Sequence, residues 1–178
     1  FRIEKLNNKE LNYLEIGAFE GRSGVYILEN LNKAKCYFVD PFENYDEMTD
    51  STGMKEFDKL YNNFLHNVNR FGERVKVFRE TSDMFFEKNN EEFDLIYVDG
   101  SHFGEDVYRD SINSFECLKS KGYIIFDDFF WFFFETINEN PLGGIFKFLV
   151  ENKKNIKVRY LSNQLIIQKN KNFSFFYI

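Results

Sequence analysis

The chain has few of the residues that build cross-links and metal clusters. Its 178 residues include two cysteines and two histidines. Cys36 falls in a predicted strand and Cys117 in a predicted helix, and the two lack the paired spacing of a metal-binding motif. We therefore expect both to be free, buried thiols of a reducing compartment, which points to the cytoplasm.

Positive charge and long apolar runs are also scarce. With 23 Lys and Arg against 29 Asp and Glu, the formal net charge is -6. Proteins that bind nucleic acid usually present a basic face, so nucleic acid is disfavoured as a partner, and an anionic membrane surface is disfavoured as well. The aromatic run at residues 129–134 is too short to span a bilayer. We expect neither a nucleic-acid partner nor a membrane association.

Aromatic residues, in contrast, are abundant. They make up 20% of the chain, and 43% of all residues are hydrophobic. This content can bury a sizeable core, and the absence of repeats and low-complexity linkers predicts a single domain over residues 1–178. The run at residues 129–134 either walls an acceptor pocket or packs in a subunit interface, and the second interpretation predicts a homodimer.

Strand and helix patterns alternate along the chain. Such alternation predicts an α/β fold, a parallel sheet with helices on both faces. Ser82 is a plausible N-cap for a short helix. The predicted strands are residues 13–16, 36–39, 75–78, 93–98, 122–126, 156–160 and 165–168, and the predicted helices are residues 23–31, 54–71, 82–87, 105–118 and 144–151.

A glycine turn follows the first predicted strand. Gly17 and Gly21 allow a tight turn in which a ligand approaches bare backbone. Glu15 and Glu20 place two carboxylates in or beside this turn. A pyrophosphate would be repelled there, whereas a cofactor that carries an amine and a sulfonium would be favoured.

The ExGxxxGxS spacing of Glu15, Gly17, Gly21 and Ser23 resembles motif I of class I S-adenosylmethionine-dependent methyltransferases, in the form of the catechol O-methyltransferases and their bacterial relatives. The resemblance implies a Rossmann-like, doubly wound, seven-stranded sheet of order 3-2-1-4-5-7-6 with strand 7 antiparallel. It also implies S-adenosylmethionine as cofactor, with Asp40 accepting from the ribose hydroxyls. The cofactor contacts that it implies are Glu15, Gly17, Ala18, Phe19, Gly21, Ser23, Asp40, Pro41, Thr81, Ser82, Asp99, Gly100 and His102.

Three carboxylates follow the fourth and fifth predicted strands. Asp99 comes after the fourth, and Asp127 and Asp128 come after the fifth. Carboxylates that converge repel one another unless a cation neutralises them, and all-oxygen ligation suits Mg2+ or another divalent ion. The pattern resembles the metal-dependent O-methyltransferases, including those of the macrocin and bacterial sugar type. The alternative is that Asp127 or Asp128 caps a following helix.

His102 lies three residues after Asp99, where the catechol enzymes place a catalytic lysine. Histidine is a natural general base near neutral pH. We therefore predict His102 and Asp99 as catalytic residues, although His102 could instead be a positioning or cofactor contact. Gly104 departs from the DGSHxY pattern of relatives, which have tyrosine at this position.

These observations predict methyl transfer from S-adenosylmethionine to an oxygen of a small hydroxylated acceptor, such as a sugar, with divalent-metal assistance. A metal-independent methyltransferase and a non-catalytic, methyltransferase-like binding module stay open as alternatives. A nicotinamide-dependent oxidoreductase is disfavoured by the GxxxG spacing and by Glu20.

Overall fold

The structure is a computed structural model that describes residues 6–43 and 57–171. The chain divides into two compact units, Arg2–Asn89 and Asn90–Ile178, called here the N-terminal and the C-terminal unit. The single domain over residues 1–178 stays a prediction, and most of the predicted loop at residues 42–53 lies outside the described residues.

The N-terminal unit alternates strands and helices. Buried positions run almost without a break through β1 and β2, as expected for strands covered on both faces. β2 lies between β1 and β3 and is parallel to both. The elements are β1 (Leu11–Ile16), α1 (Arg22–Asn30), β2 (Ala34–Val39), α2 (Phe57–Val68), a 3-10 segment (Asn69–Arg74), β3 (Val75–Phe78) and α3 (Ser82–Lys88).

The C-terminal unit closes with a hairpin. β4 and β5 are parallel, and β7 is antiparallel to both β5 and β6. The elements are β4 (Phe93–Val98), α4 (Gly104–Glu116), β5 (Leu118–Phe126), a 3-10 turn (Ile137–Glu139), α5 (Pro141–Asn152), β6 (Ile156–Leu161) and β7 (Leu165–Lys169).

The seven strands form one sheet in the order β3-β2-β1-β4-β5-β7-β6. This order and the antiparallel direction of β7 confirm the predicted Rossmann-like α/β fold. Among the described residues, no helix combines the length and the apolar character needed to cross a membrane.

The end of α4 differs from the prediction. The helix was expected to run through Leu118, but it ends at Glu116, and Leu118 begins β5. The buried Lys169 explains the early end, because its Nζ donates to the carbonyl oxygens of Phe115 and Leu118, each at 2.7 Å. Burial also lowers the pKa of Lys169. Cys117 is consequently the C-cap of α4, half-buried, and Cys36 is buried in β2; both are free thiols.

The cap of α3 differs by one residue. Thr81, not Ser82, is the N-cap, and its Oγ1 accepts a hydrogen bond from the backbone N of Met84 at 3.3 Å. Ser82 is the first residue of the helix.

Helices α4 and α5 meet through glycine backbone. A Cβ on Gly104 would lie 2.1 Å from the backbone oxygen of Asn138, and one on Gly144 would lie 2.0 Å from the backbone oxygen of Gly104. Neither distance is physically attainable, so α5 and the 3-10 turn before it approach α4 this closely only because both positions are glycine. The departure of Gly104 from the tyrosine pattern therefore has a steric reason in this chain.

Candidate active site

The glycine turn of the N-terminal unit joins β1 to α1. Gly17 and Gly21 adopt left-handed backbone angles, with φ of 86° and 83°. Gly21 is the N-cap of α1, and a Cβ there would lie 3.0 Å from the ring of Phe64. Both the backbone conformation and the neighbouring ring therefore favour glycine at position 21.

Asp40 follows β2 and binds this turn. Its Oδ2 accepts hydrogen bonds from the backbone amides of Ala18 and Phe19, each at 2.9 Å, and its Oδ1 accepts from the amide of Phe42 at 2.6 Å. Burial raises the pKa of Asp40 against the opposing effect of these three bonds. The turn's amides thus already have a carboxylate acceptor. A pyrophosphate would have to displace that carboxylate, so the geometry disfavours a dinucleotide.

Glu15 is fully buried beneath the same turn. Its Oε2 accepts from the hydroxyl of Tyr13 at 2.6 Å, and its Oε1 accepts from the hydroxyl of Ser23. Burial raises the pKa of Glu15 from 4.5 to about 7, and the nearby charge of Asp40 acts in the same direction. Glu15 therefore connects β1 to the first turn of α1, and its ionisation lies near neutral pH.

The remaining predicted residues of this unit lie around the same strand ends. Phe19 is 45% exposed and has a positive φ of 45°. Pro41 lies between Asp40 and Phe42 and is half-buried. Thr81 and Ser82 start α3, which follows β3, and the amide of Asp40 donates to the backbone oxygen of Phe78 at the end of that strand.

A second group of polar residues lies in the C-terminal unit, after β4 and β5. One potential ligand atom from each of Asp99, His102 and Asp128 lies within 4.8 Å of the others. His102 Nε2 is hydrogen-bonded to Asp128 Oδ2 at 3.0 Å. The strands that carry these residues are paired, with Val98 opposite Phe126.

The three residues line one pocket together with Gly100, Ser101 and Asp127. The pocket contains about 250 Å³ of space outside protein atoms, including the solvent at its mouth. Two donors on one ion at about 2.0–2.6 Å are separated by at most about 5 Å, so the spacing fits a divalent cation. The mixed oxygen and nitrogen donors are ligands that such ions accept.

Asp127 is oriented differently from the other two aspartates. Its Oδ2 accepts a hydrogen bond from the hydroxyl of Tyr97, and its Oδ1 accepts from the backbone N of Asp128 at 3.0 Å. The structure therefore brings Asp99 and Asp128 together with His102, while Asp127 is held by Tyr97. Neither Asp127 nor Asp128 caps a following helix among the described residues, because Thr136 caps the 3-10 turn and Asn140 caps α5.

Two residues next to this pocket had no individual role in the sequence prediction, although Trp131 belongs to the aromatic run at residues 129–134. Trp131 packs on His102, with ring centroids 4.6 Å apart and the planes 32° from parallel. Asn140 is fully buried, and the oxygen and the nitrogen of its side-chain amide both form hydrogen bonds to the backbone of the preceding loop. For Asn140 the signal in the sequence is the Asn140-Pro141 pair, which is typical of a helix start and gives no hint of a role in a site.

The similarity of this chain to known methyltransferases agrees with this architecture. A family model described as a methyltransferase domain matches residues 14–129. No curated protein sequence matches the chain. The chain is similar to the O-methyltransferase TomG from Streptomyces achromogenes, solved with SAM, at 10% identity over 92% of this chain and 74% of that chain, with a TM-score of 0.63.

Two further solved structures are similar. The MycE methyltransferase from the mycinamycin biosynthetic pathway, solved with Mg and SAH, is 15% identical over 95% of this chain and 47% of that chain, with a TM-score of 0.65. The SAH-bound methyltransferase PaMTH1 from Podospora anserina is 19% identical over 90% of this chain and 72% of that chain, with a TM-score of 0.64. Likeness at such identities shows a shared fold.

Proposed function

The chain belongs to the methyltransferase-domain family and is a class I S-adenosylmethionine-dependent methyltransferase, and from this premise we propose that it methylates an oxygen of a small hydroxylated acceptor. The observation that carries the proposal is the convergence of Asp99, His102 and Asp128 in one pocket. A base paired with a carboxylate, beside a second carboxylate, suits the removal of a proton from a hydroxyl. A sugar is one acceptor of this class.

The transfer is a displacement at the methyl carbon. The acceptor oxygen forms a bond to that carbon while the carbon–sulfur bond breaks, and the sulfur leaves as a neutral thioether. The hydroxyl proton goes to His102 Nδ1. The other ring nitrogen, Nε2, keeps its proton and donates it to Asp128 Oδ2 at 3.0 Å, and this carboxylate orients the ring and stabilises the imidazolium that forms. Alignment of the oxygen with the methyl carbon supplies much of the remaining rate enhancement.

The first part of the proposed site is the cofactor-binding set of the N-terminal unit. Glu15 and Asp40 give the turn negative character, which suits a cofactor with an amine and a sulfonium, and the bonded amides of Ala18 and Phe19 disfavour a pyrophosphate. The proposed contacts in this unit are Glu15, Gly17, Ala18, Phe19, Gly21, Ser23, Asp40, Pro41, Thr81 and Ser82.

The second part is a divalent ion, Mg2+ or a similar cation. Asp99 and Asp128 have the spacing to hold it, and Asp127 would join them if its carboxylate turned from Tyr97. When bound, such an ion lowers the pKa of a coordinated hydroxyl. MycE, which shares the fold, was solved with Mg and SAH.

A metal-independent transfer is the second candidate. It is favoured by the hydrogen bond between Asp127 and Tyr97, which keeps this carboxylate out of the cluster, and by the His102–Asp128 pair, which can accept a proton without an ion.

The cytoplasm is the proposed location, supported by the two free thiols, Cys36 and Cys117.

One experiment tests both candidates. Turnover of isotopically labelled S-adenosylmethionine would be measured against a panel of sugars, catechols and other hydroxylated metabolites, with amines and carbon acceptors for comparison, in Mg2+ and in excess chelator. We expect turnover that chelator abolishes and Mg2+ or Mn2+ restores. Full turnover in chelator would select the metal-independent mechanism, and exclusive methylation of nitrogen or carbon acceptors would refute oxygen transfer.

A matched pair of variants locates the chemistry. Asp99→Asn should lower turnover at saturating acceptor by about 10- to 100-fold, as expected for loss of a metal-orienting carboxylate. Asp94→Asn, on β4, should leave turnover near the wild-type level because the Asp94 carboxylate is paired with Lys119 and does not line the pocket.

A further inference from the structure

The imidazole of His102 is contacted both at its edge and on its face. Asp128 bonds Nε2 at the edge, and Trp131 packs against the ring with centroids 4.6 Å apart. We propose that Trp131 is a positioning residue, which holds the His102 ring in the orientation that directs Nε2 at Asp128. The proposal rests on the proposed function, in which His102 takes the proton from the hydroxyl group of the methyl acceptor.

Both contacts come from a single turn of the chain. The backbone N of Trp131 donates to the backbone oxygen of Asp128 at 2.8 Å, which closes a tight turn between them. Asp128 has a left-handed φ of 49°, and the next residue, Phe129, donates its amide to the backbone oxygen of Asn163 at 2.9 Å. The hydrogen-bond partner and the ring partner of His102 are therefore fixed relative to each other.

Asn140 fixes the other end of this loop. Its Oδ1 accepts from the amides of Phe133 and Phe134 at 2.9 and 3.1 Å, and its Nδ2 donates to the backbone oxygens of Phe134 and Thr136 at 2.9 and 2.6 Å. A fully buried amide with four backbone bonds is a rigid anchor. It holds the segment that carries Phe133 and Phe134, whose rings pack against Trp131.

Simple core filling does not explain the loop. Phe133, which stacks on Trp131 with centroids 5.5 Å apart, is 69% exposed, and Phe132 is 54% exposed. Side chains that serve only the core are normally buried. The polar group that Trp131 contacts is His102, so the position of this histidine is what the packing determines.

The test compares three substitutions. Trp131→Leu removes the ring, Trp131→Phe keeps one, and Phe132→Leu changes an exposed ring of the same loop. The first readout is the 15N NMR shifts of the His102 ring, which report whether Nε2 carries the proton that it donates to Asp128 and depend far more on that protonation than on the ring current of Trp131. The second is kcat and KM for the acceptor, with the Kd of S-adenosylhomocysteine measured alongside.

We expect Trp131→Leu to move the His102 ring signals and to lower kcat by about 10- to 100-fold, because a misoriented base loses much of its effect. KM and the cofactor Kd should stay within about threefold. Trp131→Phe should recover most of kcat, and Phe132→Leu should change neither readout. Asn140→Asp, which keeps the acceptor oxygen but loses the Nδ2 donors, should move the same signals if Trp131→Leu proves unstable.

Unchanged His102 signals and unchanged kcat in Trp131→Leu would overturn the proposal, as would an equal loss of kcat in Trp131→Phe and Trp131→Leu. If no acceptor is turned over by the wild type, the oxygen-transfer function fails, and the NMR shifts alone then decide whether Trp131 holds His102.

Discussion

Glu15 should make the stability of the cofactor-free protein depend on pH near neutrality. Its carboxyl is fully buried, and burial raises its pKa from 4.5 to about 7. Because the folded state binds the proton more tightly than the unfolded state, Glu15 contributes stability that is fully present below pH 4.5. This contribution is lost as the pH rises through 7.

The magnitude follows from the shift. A change from 4.5 to about 7 corresponds to about 3 kcal/mol between the fully protonated and the fully ionised limits. About 2 kcal/mol of this loss falls between about pH 5.5 and about pH 8. Asp40, whose pKa is also raised, adds a loss of the same sign.

Glu15→Gln isolates the contribution of one side chain. The amide cannot ionise, and the hydroxyls of Tyr13 and Ser23 can still donate to it or accept from it. Urea unfolding of the cofactor-free wild type and variant is measured at about pH 5.5 and about pH 8 and at one ionic strength. At each pH it gives the difference in the free energy of unfolding between variant and wild type. We expect the variant to gain about 2 kcal/mol relative to the wild type on going from the lower to the higher pH.

Glu10→Gln is the control, because Glu10 is exposed and lies just before β1. It should leave the pH dependence of the wild type intact. If Glu15→Gln also follows the wild-type pH dependence, the reasoning from burial is refuted, since the Glu15 carboxylate would then be as well stabilised in the folded protein as in water.

Three further predictions concern the site and its supports. Asp40→Ala should leave two turn amides without their acceptor and weaken binding of S-adenosylhomocysteine by about 1–3 kcal/mol, measured by calorimetry. Gly104→Ala should lower the free energy of unfolding by about 1–3 kcal/mol or more, measured in urea, because its Cβ has no space. Tyr97→Phe should release Asp127 and tighten Mn2+ binding several-fold, whereas Asp127→Asn should weaken it about tenfold; no change in either titration would remove Asp127 from the ligand set.

Local pattern predicted most of the fold. Val75–Phe78 and Phe93–Val98 form strands within the predicted bounds, and the strand order agrees with that implied by the family resemblance. The first half of β5 was missed because Lys119, Ser120 and Lys121 look like a turn. Pairing with β4 shifts register there, from Phe93 opposite Leu118 to Leu95 opposite Tyr123, and no local hydropathy pattern encodes such an irregularity.

The sequence pattern predicts members of the candidate site but not the contacts that they make. Asp40, Asp99 and Asp128 were predicted as site residues because each follows a strand, and parallel strands bring their carboxyl ends to one edge of the sheet. The bonds of Asp40 to Ala18 and Phe19 join residues about twenty positions apart. Such pairings depend on how loops fold over strand ends, which neither periodicity nor spacing specifies.

The glycine contact between α4 and α5 limits how this pocket could change. Val107 of α4 and Pro141 and Ile145 of α5 line the pocket, and the helix starts that carry them touch through bare backbone at Gly104 and Gly144. This wall can neither move inward nor accept a larger residue at the contact. Engineering of the pocket for bulkier molecules therefore has to leave the contact between Gly104 and Gly144 intact.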